Sequence, residues 1–346
     1  FRRNTLFSRK ACSPFNSTLK GEHAFLENNV LRLNWSAVLS KAYSETPDNT
    51  EIYMQGTHLQ NTNSAIRRWE HNSDKDKAGY VDLMYKWNLG GGSVLDFSVG
   101  GMYRDKKRDS FFNEYTFDSA TGSKDPQYQG TDWNNYDELL FAARKYGNIS
   151  DPLNYDATEK IGAGYGMVKY TYGRWELIGG VRVEHTNQGY TLKFPTESAD
   201  PKGNQKYTDV LPSFHAKYGV HENANLRLSY ARSINRPSFF EIVPYSIINE
   251  DYKEKGNPDL KHTVADNVDF RYEFFPKSSE QFMIGAFYKY LKDPIEYGLL
   301  NEGQDTYYKP MNFGNATNLG LEVDIMKYFN WFGIKANYTY THSKIT

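Results

Sequence analysis

The chain has a single cysteine, Cys12, so no intrachain disulfide can hold it and the fold must rest on packing and hydrogen bonds. It also lacks long hydrophobic runs: no stretch approaches the ~18 uninterrupted apolar residues of a membrane-crossing helix. Neither sign of charge is in excess. The 41 basic and 42 acidic residues leave a net charge of −1, which gives no electrostatic footprint for nucleic acid. The eight histidines are dispersed, with no pair at metal-ligand spacing and a third ligand nearby, so no metal site is expected. In Asp74-Lys75-Asp76-Lys77 the interleaved lysines oppose a bound cation, and the pattern reads as a solvated strand end. Gly90 to Gly92 is followed by no helix and no Lys-Ser/Thr pair, which excludes a phosphate loop. With no nucleophile–base constellation in sight, neither an enzymatic activity nor a cofactor is expected.

What the chain does have is aromatic residues, at 16% of its length, and a strict alternation in the spacing of its turns. Tight joints are predicted at Leu26 to Asn29, Asn88 to Gly92, Gly173 to Arg174, His221 to Asn225, Pro276 to Glu280 and Tyr328 to Trp331. Between them fall long polar connections, at Ser44 to Asn63, Asp105 to Ala157, Gly189 to Lys206, Asn235 to Leu260 and Lys292 to Ala316. A soluble sandwich has no reason to sort its loop lengths by parity, whereas a transmembrane antiparallel β-barrel has short periplasmic turns and long extracellular loops. The mean hydropathy of −0.74 fits such a wall, because only every second residue of a spanning strand meets lipid. Two strands per tight joint predict twelve strands, from near Thr18 to near Thr346.

The faces alternate with period two, as a strand with one wet side requires. Trp175, Leu177, Val181 and Val183 oppose Glu176, Arg182 and Glu184. Val268, Phe270, Tyr272 and Phe274 oppose Asp269, Arg271 and Glu273. Leu319, Leu321, Val323 and Ile325 oppose Glu322 and Asp324, while Val81, Leu83, Tyr85 and Trp87 oppose Asp82 and Lys86. The charged sets are predicted to face the lumen, with Arg182, Glu184, Asp269, Arg271 and Glu273 as its named members. Trp87, Trp175, Phe274, Tyr328 and Trp331 all lie beside tight joints, where amphipathic rings would form a girdle at one membrane boundary.

Several segments carry a family resemblance. Asn235-Arg236-Pro237-Ser238-Phe239-Phe240-Glu241-Ile242, then Gly256-Asn257-Pro258-Asp259-Leu260-Lys261, resembles the wall-and-loop pattern of TonB-dependent outer-membrane receptors. So does Asn312-Phe313-Gly314-Asn315-Ala316 leading into Gly320-Leu321-Glu322-Val323. Trp331-Phe332 leading into Asn337-Tyr338-Thr339-Tyr340-Thr341, and Leu33-Asn34-Trp35-Ser36-Ala37 with Thr46-Pro47-Asp48, are similar to strands of that family, particularly its Bacteroidetes-type members. The resemblance covers most of the chain from about Thr18 onward. It implies a barrel of about 22 strands with a plugged lumen, located in the bacterial outer membrane. Residues 1–346 would then be a partial barrel domain, without the plug and the last strands. It further implies import of a scarce ligand, either a siderophore or other metal chelate or an oligosaccharide, driven through TonB by an inner-membrane energy-coupling complex. A surface lipoprotein is a possible further partner.

In the longest connection, Thr131 to Gly147 has apolar positions at Tyr136, Leu139, Leu140 and Ala143, a spacing that predicts a short amphipathic helix. Trp133 and Tyr136 on it are candidate ligand contacts by stacking; the same stripe would equally pack the loop onto the rim. Arg236 and Tyr245 are candidates to present a cation and a ring to a ligand, or else to anchor a folded-back loop. The haem-receptor relatives place a histidine in this loop; here none lies between Arg236 and Pro258, and the nearest is His262. Two other readings stay open, a passive porin or adhesin barrel and a soluble all-β glycan-binding domain.

Overall fold

A computed structural model describes residues 2–8, 10–26, 30–55, 58–59, 65–120, 141–143, 153–195, 200–248, 253–302 and 305–345. Tight hairpins build the wall. β2 (Ala11–Phe25) turns into β3 (Leu31–Gln55), β5 (Ala65–Gly90) into β6 (Ser93–Ser119), and β8 (Tyr155–Tyr172) into β9 (Trp175–Leu192). β10 (Lys202–His221) turns into β11 (Ala224–Asn235), β14 (Thr263–Lys277) into β15 (Glu280–Lys292), and β18 (Asn315–Tyr328) into β19 (Gly333–Ile345). The tight joints expected at Asn88 to Gly92, Gly173 to Arg174, His221 to Asn225, Pro276 to Glu280 and Tyr328 to Trp331 fall at turns between these strands, while of Leu26 to Asn29 only Leu26 lies among the described residues. β1 (Arg2–Ser8) pairs with Asn49 to Gln55 of β3, beyond the stretch of β3 that β2 covers. The wall path runs β1, β3, β5, β6, β8, β9, β10, β11, β14, β15, β18, β19, and its pairings are antiparallel. Its β2, β4 (His58–Leu59) and β7 (Phe141–Ala143) branches bring the sheet to fifteen strands.

Register sorts the two faces into rows. Leu228, Phe270, Ala286, Leu321 and Tyr340 stand side by side across five strands. One residue along each strand, Arg227, Arg271, Gly285, Glu322 and Thr339 form the matching row on the opposite face. The apolar rows are uncovered by protein: Val81, Leu83, Val181, Val183, Phe270 and Leu321 are all exposed. A continuous apolar band of this kind is untenable in water and is what lipid covers. Among the described residues no helix is long and apolar enough to cross a membrane. The strands do the spanning.

The structure corrects the sequence reading where the strands leave the membrane. Ser44 to Asn63 and Asp105 to Ala157 were expected as loops, yet β3 continues to Gln55 and β6 to Ser119. Likewise β9 runs to Leu192 and β10 starts at Lys202. Beyond lipid neither face need be apolar, so the period-two signal fades while the hydrogen-bond ladder continues. Opposite charges replace it. Asp74 and Asp76 point to the same face as Arg104, Lys106 and Arg108, and Arg108 bonds Asp74 at 2.6 and 2.7 Å. Lys75 and Lys77 are thereby turned to the other face, next to Asp105 and Asp109, so the alternating motif is a two-faced strand.

The connections also carry structure of their own. Asn235 to Leu260 contains α1 (Phe239–Ile242), β12 (Ser246–Ile248) and β13 (Lys253–Lys255); Lys292 to Ala316 contains the hairpin β16 (Ile295–Glu302) and β17 (Asp305–Asn312). These form a second sheet in the order β12, β13, β17, β16, in which β13 and β17 are parallel. Of the helix expected over Thr131 to Gly147, Phe141–Ala143 is instead the strand β7, because the overhanging end of β6 offers it the free edge at Phe117 to Ser119. The rest of that segment, with Trp133 and Tyr136, lies outside the described residues.

Candidate functional site

Residues 236–248 and 253–262 form a strap that leaves β11 and folds back over the polar face of β6, β8 and β9. It is seated by apolar packing: Phe239, Ile242, Val243, Tyr245 and Leu260 join Phe112, Tyr155, Tyr190 and Leu192 in one buried cluster. Locally, the turn of helix is set by a capping box, in which Glu241 N–H donates to Ser238 Oγ (3.3 Å) and Ser238 N–H to Glu241 Oε2 (2.6 Å). Phe239 sits beneath two cations of the charge ladder, Lys106 Nζ at 5.3 Å and Arg108 Cζ at 5.6 Å from its ring centre. Gly256 passes so close to the Val243 carbonyl that a side chain there would overlap it.

Polar contacts fix both ends of the strap. Arg236 is ion-paired with Glu184 and donates to Thr186 Oγ1 at 3.0 Å, while Arg182 holds the same carboxylate at 2.7 Å. Gln188 Nε2 donates to the Pro237 carbonyl (2.8 Å), and Gln205 Nε2 to that of Pro258 (2.9 Å). At the return to the wall, His262 meets Asp209 at 2.9 Å and stacks on Tyr207, centroids 4.0 Å apart. The second sheet is latched to the strap by Asn257 Nδ2 on the Pro310 carbonyl (2.9 Å) and by Asn312, which bonds Lys261 N–H and C=O at 2.9 and 3.0 Å.

Of the ligand candidates, Arg236 is therefore engaged with the wall. Tyr245 is 1% exposed and donates to Glu254 at 2.6 Å, so its ring faces protein rather than an open vestibule. Burial, then the Glu254 carboxylate, pushes its hydroxyl far above the ordinary tyrosine value. Arg182, Glu184, Asp269, Arg271 and Glu273 all fall on the face opposite the apolar band. Glu273 is bonded by Arg227 at 2.8 Å and Arg271 reaches Glu322 at 3.3 Å, so the arginines opposed across β11 and β14 are each neutralised. Trp87, Trp175, Phe274, Tyr328 and Trp331 stand exposed at the tight-turn end. The sequence reading missed Tyr218 beside them, 4.6 Å from Trp175 between ring centres, although its period-two position carried that signal. Among the described residues no three His, Cys, Asp or Glu side chains gather to hold a metal ion.

Comparison with known proteins agrees with this architecture. A sequence model described as the outer membrane protein beta-barrel family matches residues 27–346. No curated protein sequence matches. Among solved structures, the chain is similar to the ferric citrate transporter FecA in its unliganded form, at 12% identity and a TM-score of 0.65, covering 98% of this chain and 44% of that one. It is similar to the siderophore receptor PiuA from Acinetobacter baumannii at 16% identity and a TM-score of 0.65, with 98% and 48% covered. The ferric-catecholate import receptor Fiu from E. coli K12 gives 14%, 0.63, 98% and 48%. At these identities the likeness is one of fold, and the chain spans about half the length of those structures.

Proposed function

The chain belongs to the outer membrane protein β-barrel family, and we propose that it forms part of the wall of a TonB-dependent receptor importing a scarce ligand across the bacterial outer membrane. The ligand is a siderophore or other metal chelate, or an oligosaccharide. What carries this reading is the fold likeness over 98% of the chain to a ferric citrate transporter, a siderophore receptor and a ferric-catecholate import receptor. The polar face then lines the lumen, the tight turns lie in the periplasm, and the strap and second sheet belong to the outer mouth. Trp87, Trp175, Phe274, Tyr328 and Trp331 are the periplasmic girdle. Energy comes through TonB from the inner membrane, a surface lipoprotein is a candidate partner, and no chemical step on the ligand is involved.

One observation favours a second reading. The strap folds inward onto the polar face, as a constriction loop of a passive pore would. Uptake by cells carrying the full-length protein separates the two. The receptor reading expects saturable uptake that stops when TonB is deleted or the proton gradient is collapsed; uptake that stays linear in concentration and indifferent to both treatments would replace it with the pore.

A further inference from the structure

On its outward face, the apolar band of β3, β5, β6 and β8 ends against two rows of lysine. Lys41, Lys75 and Lys107 stand side by side across β3, β5 and β6. The row nearer the band runs Leu39, Lys77, Asp105, Lys160, Asn187 and Lys206, from β3 to β10. All six lysines are exposed. Like charges directly opposite one another repel, and the protein does little to offset them. Asp105 is the one carboxylate in the two rows. Among the described residues, none of the six lysine side chains takes part in a hydrogen bond or an ion pair. In the next row out, Asp109 and Asp156 are both claimed by Lys193, at 2.7 and 3.7 Å. Farther round the same face Arg232 is matched, with Asp266 on the neighbouring strand at 2.9 Å. The unmatched positive charge is therefore confined to one sector of the wall.

Depth says what completes it. Lys77 lies ten residues beyond Trp87 of the girdle, and a spanning strand needs about nine to eleven. Tyr170 shares the row of Trp87 through Leu95, and Lys160 lies ten residues beyond it. The lysines thus stand at the far boundary of the bilayer, where long cationic side chains reach the level of lipid headgroups. A headgroup with a single phosphate would answer one or two ammonium groups, and a row of three backed by a second row calls for more. We propose that this face is a docking site for an outer-leaflet lipid whose headgroup carries more than one phosphate group. Its acyl chains lie along Val81, Leu83 and Val99, which are exposed, and its phosphates on Lys41, Lys75 and Lys107. The proposal takes from the importer reading only that the tight turns face the periplasm.

The test is titration of the full-length receptor in nonionic detergent micelles with diphosphoryl lipid A, monophosphoryl lipid A and phosphatidylglycerol, read by native mass spectrometry. Diphosphoryl lipid A binds most tightly. Changing Lys41→Gln, Lys75→Gln and Lys107→Gln together weakens it about a hundredfold, at roughly fivefold for each lysine at a charged lipid surface. The melting temperature without lipid does not fall in this variant, since the three ammonium groups have no partner in the protein. Arginine at the same three positions keeps the charge and the binding, and Lys289→Gln, on the polar face of β15, leaves the affinity as it was. Equal affinity for the three lipids, unchanged binding in the glutamine variant, or loss of binding in the arginine variant overturns the site. The two readings fail separately: TonB-dependent uptake by a receptor whose glutamine variant binds lipid A unchanged removes the site alone, and lysine-dependent lipid A binding with TonB-independent uptake removes the importer alone.

Discussion

Arg236 and Glu184 form an ion pair that ties the first residue of the strap to the polar face of β9. Because Arg182 also holds Glu184, removing Arg236 does not strand the carboxylate as an unpaired buried charge. Arg236→Ala should therefore cost on the order of 1.5–3 kcal/mol, the range for a lost charged hydrogen bond. The loss should appear as faster amide exchange over residues 239–260, with the membrane-spanning parts of β9 and β11 unaffected. Arg236→Lys keeps the charge but not the fork that reaches Thr186 and Glu184 together, so its exchange rates should fall between those of Ala and the native residue.

Val181 sits in the middle of the apolar band of β9 and is exposed. Val181→Arg should destabilise the protein folded in liposomes by roughly 2–4 kcal/mol, the cost of a cation at bilayer mid-depth. Ser229→Arg, on the polar face of β11, should cost far less. Equal costs for both in reversible unfolding measurements would remove the assigned facing of these strands.

Asp74 lies on the outer extension of β5, beyond the apolar band. Burial alone would raise its carboxyl, but the Arg108 hydrogen bond and the neighbouring Arg108 and Lys106 charges hold it below the ordinary 3.8. A carboxylate depressed in the folded state contributes stability that is fully present above its unfolded value and is lost as pH falls through the folded one. The β5–β6 extension should thus hold its protection at neutral pH and loosen only as pH drops below about 4. Amide exchange at residues 70–78 and 104–112 across that range checks this, and Asp74→Asn should remove that residue's share of the dependence.

Gly256→Ala places a methyl group on the Val243 carbonyl. Backbone cannot yield there as a flexible side chain would, so the strap should shift, at a cost of ~1–3 kcal/mol typical of overpacking. Limited proteolysis should then cut within 239–260 in the variant under conditions that spare the native protein.

The wall was legible because two signals coincide in it: tight turns of recognisable composition, and one face that lipid forces to be apolar. Outside the bilayer the second signal vanishes, which is why β3 and β6 were read as ending near Ser44 and Asp105. The anchoring alternative for Arg236 could be read from its place beside Pro237. Its partner could not, since Glu184 is a distant residue brought near only by the pairing of β9, β10 and β11. Nor could the row of Lys41, Lys75 and Lys107 be read, since three lysines far apart in the chain become neighbours only through strand register.

The parallel pairing of β13 with β17 joins two loops that the chain connects only through β14 and β15. Their lengths cannot drift independently. Trimming either one would bare a strand edge on the cell surface, where unpaired N–H and C=O groups invite a foreign chain to add itself. Epitope insertions or deletions in this region should therefore be made in both loops together, and a single-loop change would show itself first as aggregation of the surface-displayed protein.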